Sequence, residues 1–538
     1  MHKLCNRTGM SLFKCATSRQ CWASDIRHPT DPDVAGHNPR MQRILCVVAL
    51  TFVASPAFTQ PTDVSDFVRR HQGEIVREFL ELVAIPNHRA DLPNIKRNAE
   101  LLRQMLERRG MKPEVWETPT APLVYGERLV PGATRTILFY IHFDGQPVDK
   151  AGWKQDDPFK PIVRAGSLEE GAAVISDVAT RESFPDHFRV YARSAGDDKG
   201  PIQAFVSAMD AIGGKPSQNI KVILHGEEEG GGPSLDHVIK NHADKLRSDV
   251  LIILDGPQHP SDKPTIYYGA RGGAGLEVTV YTAKTGMHSG NYGNWLPDAN
   301  VRLTQLISSM FTPTGKVSIE GFYDDVLPLP AAAVQMMNEV PDVNAAMQKL
   351  YGVGSTDGAA SSLQEGLNLP AFSVHMMKGG EVGGVIAASA TAEIALRLVK
   401  ENSPRTMVDR VVAHIRTQGY FIVDKDPDTA TLAAHPRIAK VTTRAAAVSG
   451  AWRTDPELPA VKFIADAIRA RHGYSNVVRI RTLGGGIPAG PFITAFQVPT
   501  VGVSLANYDD NQHTDNENLR LGHLWKGIDT LAALMTHR

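Results

Sequence analysis

The chain is short of cysteine where chemistry would need it. Of 538 residues four are cysteine, namely Cys5, Cys15, Cys21 and Cys46, so nothing after residue 46 carries a thiol. That excludes a cysteine nucleophile, a thiolate-held structural zinc and disulfides from the bulk of the chain. Net charge is also nearly absent: 57 Lys and Arg against 58 Asp and Glu give a formal charge of −1. No global field therefore draws the chain to nucleic acid or to an acidic membrane. Long apolar runs are missing too. The greasy stretch at residues 44–54 is about ten residues, half of what a membrane-crossing helix needs.

What is present at the N-terminus has another reading. Residues 1–40 mix Arg, Lys, His, Ser and Pro without apolar periodicity; then come Met41-Gln42-Arg43, the apolar run, and Ser55-Pro56-Ala57. A positive start, a short greasy core and small residues at a cleavage point make an export signal. Met41 is then the expected start, with residues 1–60 removed or untranslated and the mature chain periplasmic or secreted.

At 538 residues, with 42% hydrophobic and 21% charged residues, the chain is an ordinary globular sequence too long for one core. Residues 64–83 and 94–109 have the periodicity of amphipathic helices, the second ended by Gly110. Short apolar runs follow at 137–141, 220–224 and 250–254, with helical stretches at 201–212 and 234–246. Such runs read as strands buried on both faces and covered by helices, an α/β pattern. From about residue 273 the rhythm changes. Residues 275–283 alternate, 300–310 are helical, 390–399 alternate again and 404–418 are helical. After residue 424 the first pattern resumes, with a helix at 458–471 and a strand at 500–505. The expected architecture is a split α/β catalytic domain (61–273 and 425–538) with a mixed, largely parallel sheet. A small α+β domain, residues 274–424, is inserted between the halves.

The chemistry-bearing residues sit just past the expected strand ends. They are His142-Phe143-Asp144, Asp197-Asp198-Lys199-Gly200, Glu227-Glu228-Glu229-Gly230, Asp255-Gly256-Pro257 and His513-Thr514-Asp515-Asn516-Glu517. In open α/β sheets the crevice beyond the carboxyl ends of strands is where sites form. Imidazole and carboxylate without thiolate suit catalytic zinc, manganese or cobalt. Two His and three carboxylates suffice for two ions if one carboxylate bridges, and a further carboxylate must move the proton. Taken singly, each group has a plainer reading: a strand-end histidine, acids before a helix, a solvated acidic turn.

Together these motifs resemble the M20 metallopeptidases, the group of carnosine dipeptidases, carboxypeptidase G-type enzymes and acetylornithine deacetylase. The resemblance runs from about residue 65 to the C-terminus. It is nearest to the dipeptidase branch in Asp197-Asp198-Lys199-Gly200, Tyr268-Gly269-Ala270-Arg271-Gly272 and His288-Ser289-Gly290-Asn291-Tyr292-Gly293. It implies two divalent ions, zinc first with manganese or cobalt as alternatives. His142, Asp197, Glu229, Asp255 and His513 would be the ligands, and Asp197 the bridge. It implies Glu228 as general base, Asp144 orienting His142, a cis peptide after Asp197, and a lid that dimerises. His288 would stabilise the oxyanion, in dimers commonly from the partner copy. Arg397 would pair with the substrate carboxylate, and Gly485 and Gly486 would turn backbone N–H groups to the substrate terminus. The triple glutamate leaves a second register open, with Glu227 as base and Glu228 as ligand. Gly286 replaces the usual Asp of the lid motif, Gly486 the usual Ser, and Leu398-Val399-Lys400 the usual stretch after the lid arginine. All three departures fall where substrate is read. The expected activity is cleavage of amide bonds in small peptides. An N-acyl-amino-acid deacylase or glutamate-type carboxypeptidase is the rival, and a metal-free binding protein the outsider.

Overall fold

The computed structural model describes residues 63–380 and 383–538. The expected export signal lies outside these residues. Its larger sheet has eight strands in the order Lys112–Trp116, Leu123–Arg128, Asn219–His225, Thr136–His142, Val250–Ile253, Thr500–Ser504, Thr265–Tyr267, Val478–Ile480. The middle four, from Asn219–His225 to Thr500–Ser504, run parallel; the strands on either side join them antiparallel, and Val478–Ile480 pairs parallel with Thr265–Tyr267 at the edge. Thr136–His142 shows why an unbroken apolar run is a central strand. Ile137, Phe139 and Ile141 pack into one core with the helices Val64–Val83, Leu92–Arg108, Lys199–Ala211 and Leu521–Thr536. Leu138 and Tyr140 point the other way, into a core shared with Ser234–Asn241 and Gly490–Phe496. Both faces are buried, so period-two alternation has no polar half. No helix among the described residues is long and apolar enough to cross a membrane.

The second sheet has the order Ala371–Gly379, Ser389–Leu398, Gly272–Tyr281, Ile438–Ser449, Phe421–Val423. Here one face is covered. Leu276, Val278, Ile394 and Leu396 pack against Leu303 of Ala299–Ser309 and against Met407 and Val411 of Pro404–Thr417. This sheet is the α+β insertion, and its return point needs a correction. Ile438–Ser449 was expected beyond residue 424 on the catalytic side, yet it pairs antiparallel with Gly272–Tyr281 along nearly its whole length. The lid therefore ends near residue 449, where Trp452–Arg453 pairs with Gly269–Ala270. The two chain crossings between the halves lie side by side.

A segment between the lid strands also grips the catalytic sheet. Glu339 pairs with Arg479 at 2.9 Å, and Asn368 Oδ1 accepts from Thr482 Oγ1 at 3.0 Å. Val340 is buried in the catalytic core beside Ile480 and Leu483. The lid is thus tied to the edge strand that leads into Gly484–Gly486.

One close approach fixes a ligand-bearing loop. Gly502, in the strand beside Val250–Ile253, faces the fully buried ring of Tyr267, whose hydroxyl donates to the Asp255 carbonyl at 2.9 Å. A Cβ on residue 502 would fall 1.7 Å from Tyr267 Cζ. Overpacking a rigid core costs about 1–3 kcal/mol, occasionally more. Gly502→Ala is expected at the upper end, read as a lowered urea midpoint with an unchanged slope. A midpoint within error of the parent would show that this contact is not tight.

Candidate active site

The site is built from loops leaving the carboxyl ends of the parallel strands. His142 ends Thr136–His142 and is buried; its Nε2 lies 2.8 Å from Asp197 Oδ1 and 3.9 Å from Asp255 Oδ2. Asp197 precedes the helix Lys199–Ala211, and the Asp197–Asp198 peptide is cis. Its other oxygen, Oδ2, lies 3.1 Å from His513 Nε2, which is 3.2 Å from Glu229 Oε2. Two clusters result, His142/Asp197/Asp255 and Asp197/Glu229/His513, each with its candidate ligand atoms within 4.8 Å of one another. They share Asp197 and split its two oxygens between them. The structure thus gathers all five residues expected as ligands.

The charges in this pocket fit cations. Burial pushes Asp255 up to about 7, helped by the Asp197 charge, while burial lifts Asp198 well above the carboxylate range. Asp197 stays below its ordinary value despite burial because His142 and His513 hydrogen-bond it. Hydrogen bonds that His513 donates to Asp197 and Glu229 push it up to about 11. Acids packed this closely need positive charge between them, and a divalent ion bound to neutral imidazoles supplies it better than protons do.

Neighbouring residues hold the ligands in place. Asp144 accepts from the backbone N–H groups of Glu228 at 2.9 Å and Glu229 at 3.1 Å, and its Oδ1 is 3.5 Å from His142 Nδ1. One carboxylate therefore orients the histidine and the glutamate turn together. Glu517 accepts from the N–H groups of Ser194, Gly196 and Asp197, and pairs with Arg193 at 2.8 Å. Sequence reasoning did not single out Glu517; its position inside the His513 motif was the available hint. Gln146 donates to Glu229 at 2.8 Å and Gln512 to Asp197 at 3.3 Å, and neither had a sequence signal.

The glutamate turn separates its three carboxylates. Glu229 joins His513. Glu227 is buried and turned away, accepting from Thr120 Oγ1 at 2.6 Å and from Ser234 N at 3.3 Å. Glu228 belongs to neither cluster. Its carboxyl is raised well above the usual range by burial and by Asp255, Glu229 and Asp144, with His142 opposing. His225 is buried and satisfied by Tyr140 and Ser234.

The residues expected to read substrate belong to neither cluster. His288 is exposed on the hairpin Met287–His288/Val385–Ile386, where its Nδ1 accepts from Gly290 N at 3.1 Å. No described hydrogen bond or ion pair joins it to the clusters. Arg397 lies on Ser389–Leu398 opposite Gly273, at the root of the lid. Gly485 and Gly486 are exposed, next to the buried Leu483 that hydrogen-bonds across to Gly269 and Arg271.

Comparison with known proteins places this geometry in a group. The family model described as peptidase family M20/M25/M40 matches residues 138–537. The human Beta-Ala-His dipeptidase is 25% identical over 92% of this chain and 97% of its own length. A Cys-Gly metallodipeptidase of Schizosaccharomyces pombe is 24% identical over 86% of this chain and 95% of its own. Among solved structures, human carnosine dipeptidase 1 superposes with TM-score 0.69 at 22% identity, covering 89% of this chain and 99% of that one. An M20 metallo-carboxypeptidase of Sulfolobus solfataricus gives TM-score 0.69 at 23% identity, covering 86% and 99%. These likenesses extend over both the large sheet and the lid.

Proposed function

Because this chain belongs to peptidase family M20/M25/M40, we propose that it is a two-metal dipeptidase acting on small unblocked peptides. The observation that carries the mechanism is the split of the Asp197 carboxylate between two clusters, Oδ1 toward His142 and Oδ2 toward His513. His142 and Asp255 would hold one ion, Glu229 and His513 the other, with Asp197 common to both. When bound, such a pair polarises a scissile carbonyl and makes water acidic enough to attack near neutral pH. Glu228 takes the proton from that water and returns it to the leaving amine. Asp144 holds the Glu228 backbone N–H, which fixes where the base can reach.

The dipeptide reading is supported by the names of the relatives that span most of the chain, a Beta-Ala-His dipeptidase and a Cys-Gly metallodipeptidase. The M20 metallo-carboxypeptidase of Sulfolobus solfataricus, at 23% identity, shares the fold alone and does not favour the carboxypeptidase reading. The exposed position of His288 on the lid supports a role at a partner's site in a homodimer joined through the lids, where it would stabilise the oxyanion. We also propose export, on residues 41–57 alone.

The test is a substrate panel on enzyme supplied with zinc, manganese or cobalt. Free dipeptides are expected to be cleaved with kcat/KM at least about tenfold above N-acyl amino acids of the same C-terminal residue, a gap worth roughly 1.4 kcal/mol. Faster cleavage of the N-acyl compounds would overturn the dipeptidase reading in favour of the deacylase.

A further inference from the structure

Arg271 sits where the chain leaves Gly269–Ala270 of the catalytic half and enters the lid strand Gly272–Tyr281. Its backbone N–H donates to Leu483 O at 3.1 Å, and its side-chain Nε donates to Gly484 O at 3.3 Å. The guanidinium therefore reaches onto the glycine loop. The strand register sets Gly273 opposite Arg397 and begins at Gly272 opposite Leu398, so Arg271, one residue before the strand, continues toward the diagonal position next to Arg397. Diagonal neighbours are about 7–8 Å apart at the backbone, within reach of long side chains. Burial drives the Arg271 guanidinium down to about 10, and the Arg397 charge adds to that.

Two like charges, partly withdrawn from water, are costly without an anion. Elsewhere this chain meets that need internally: Arg193 has Glu517, Arg109 has Glu78, Arg189 has Asp509 and Arg410 has Asp325. Among the described residues no carboxylate lies within ion-pair distance of Arg271 or Arg397. Arg271 lies instead against the glycine loop and its backbone. Gly485 has no atom within 4 Å of where a Cβ would stand, so the space above the loop is open. A planar carboxylate is the anion a guanidinium fork fits best.

We propose that Arg271 is a second carboxylate-binding residue, forming with Arg397 a two-guanidinium seat for the C-terminal carboxylate of the dipeptide beside Gly484–Gly486. This assigns Arg271 a specificity role that rests on the dipeptidase reading. The bare alternative is that Arg271 merely props the loop through Gly484 O.

The experiment compares a dipeptide with its C-terminal amide on metal-loaded wild type, Arg271→Gln and Arg271→Lys. Wild type should favour the free acid. Arg271→Gln should lower that acid-over-amide ratio by about 10–100-fold, the range for losing a hydrogen bond to a charged group. The loss should fall on KM for the acid, and Arg271→Lys should recover part of it. If acid and amide fall in parallel in both variants, Arg271 props the loop and the seat is overturned. An unchanged ratio in Arg271→Gln also overturns it. Arg271→Lys keeps the test open if the glutamine variant does not fold. Turnover of the free dipeptide by wild type in the same assay reports on the dipeptidase reading separately.

Discussion

Replacing Glu228 with alanine is expected to lower kcat/KM by about 10²–10⁴-fold, with the metal content of the purified chain unchanged. The two effects separate because Glu228 stands beside the clusters and in neither. Its backbone is pinned by Asp144 at 2.9 Å, so the turn that carries Glu229 keeps its shape without the Glu228 side chain. What goes is the carboxyl raised by burial and by Asp255, Glu229 and Asp144. A base that must return its proton to a leaving amine works best when its pKa lies near the operating pH, and this environment moves a glutamate that way. Elemental analysis and steady-state kinetics on one preparation check both halves. Loss of metal in Glu228→Ala would make it a ligand and shift the register of the glutamate turn.

Asp197→Ala should be more severe, costing both ions and reducing activity to background. Its two oxygens face different clusters, 2.8 Å from His142 and 3.1 Å from His513. Removing it leaves each cluster one acid short, with Asp255 alone beside His142 and Glu229 alone beside His513. Glu517 and Arg193 would still hold the surrounding backbone, so the fold should survive and its circular dichroism should match the parent. His513→Ala, by contrast, should lose one ion and keep the other. Retention of one ion by Asp197→Ala, measured after dialysis, would show that this carboxylate serves a single metal.

Most of the catalytic framework was legible because its signals are local. Residues 137–141 form an apolar run between polar residues, and the strand is Thr136–His142. Residues 64–83 have one apolar face, and the helix is Val64–Val83. Where tertiary contacts decide, the sequence was a poorer guide. The helix expected at 234–246 breaks at His242, which leaves helical geometry and stacks on Trp116 with ring centroids 4.1 Å apart. Ile438–Ser449 is rich in Ala, carries no clear alternation, and becomes a strand through pairing with Gly272–Tyr281. At the site, residues expected as ligands announce themselves by type and by position after a strand. The support of Asp197 does not, since Glu517 and Arg193 meet across 324 positions of sequence. Arg271 was visible as part of a motif, but its reach to Gly484 emerges from the fold.

The central claim is a pair of ions bridged by Asp197, and anomalous diffraction from crystals grown with zinc or manganese tests it most directly. Two peaks about 3.5–4 Å apart, with one Asp197 oxygen on each, are the predicted result. A single peak, or two peaks with Asp197 touching only one, would contradict it.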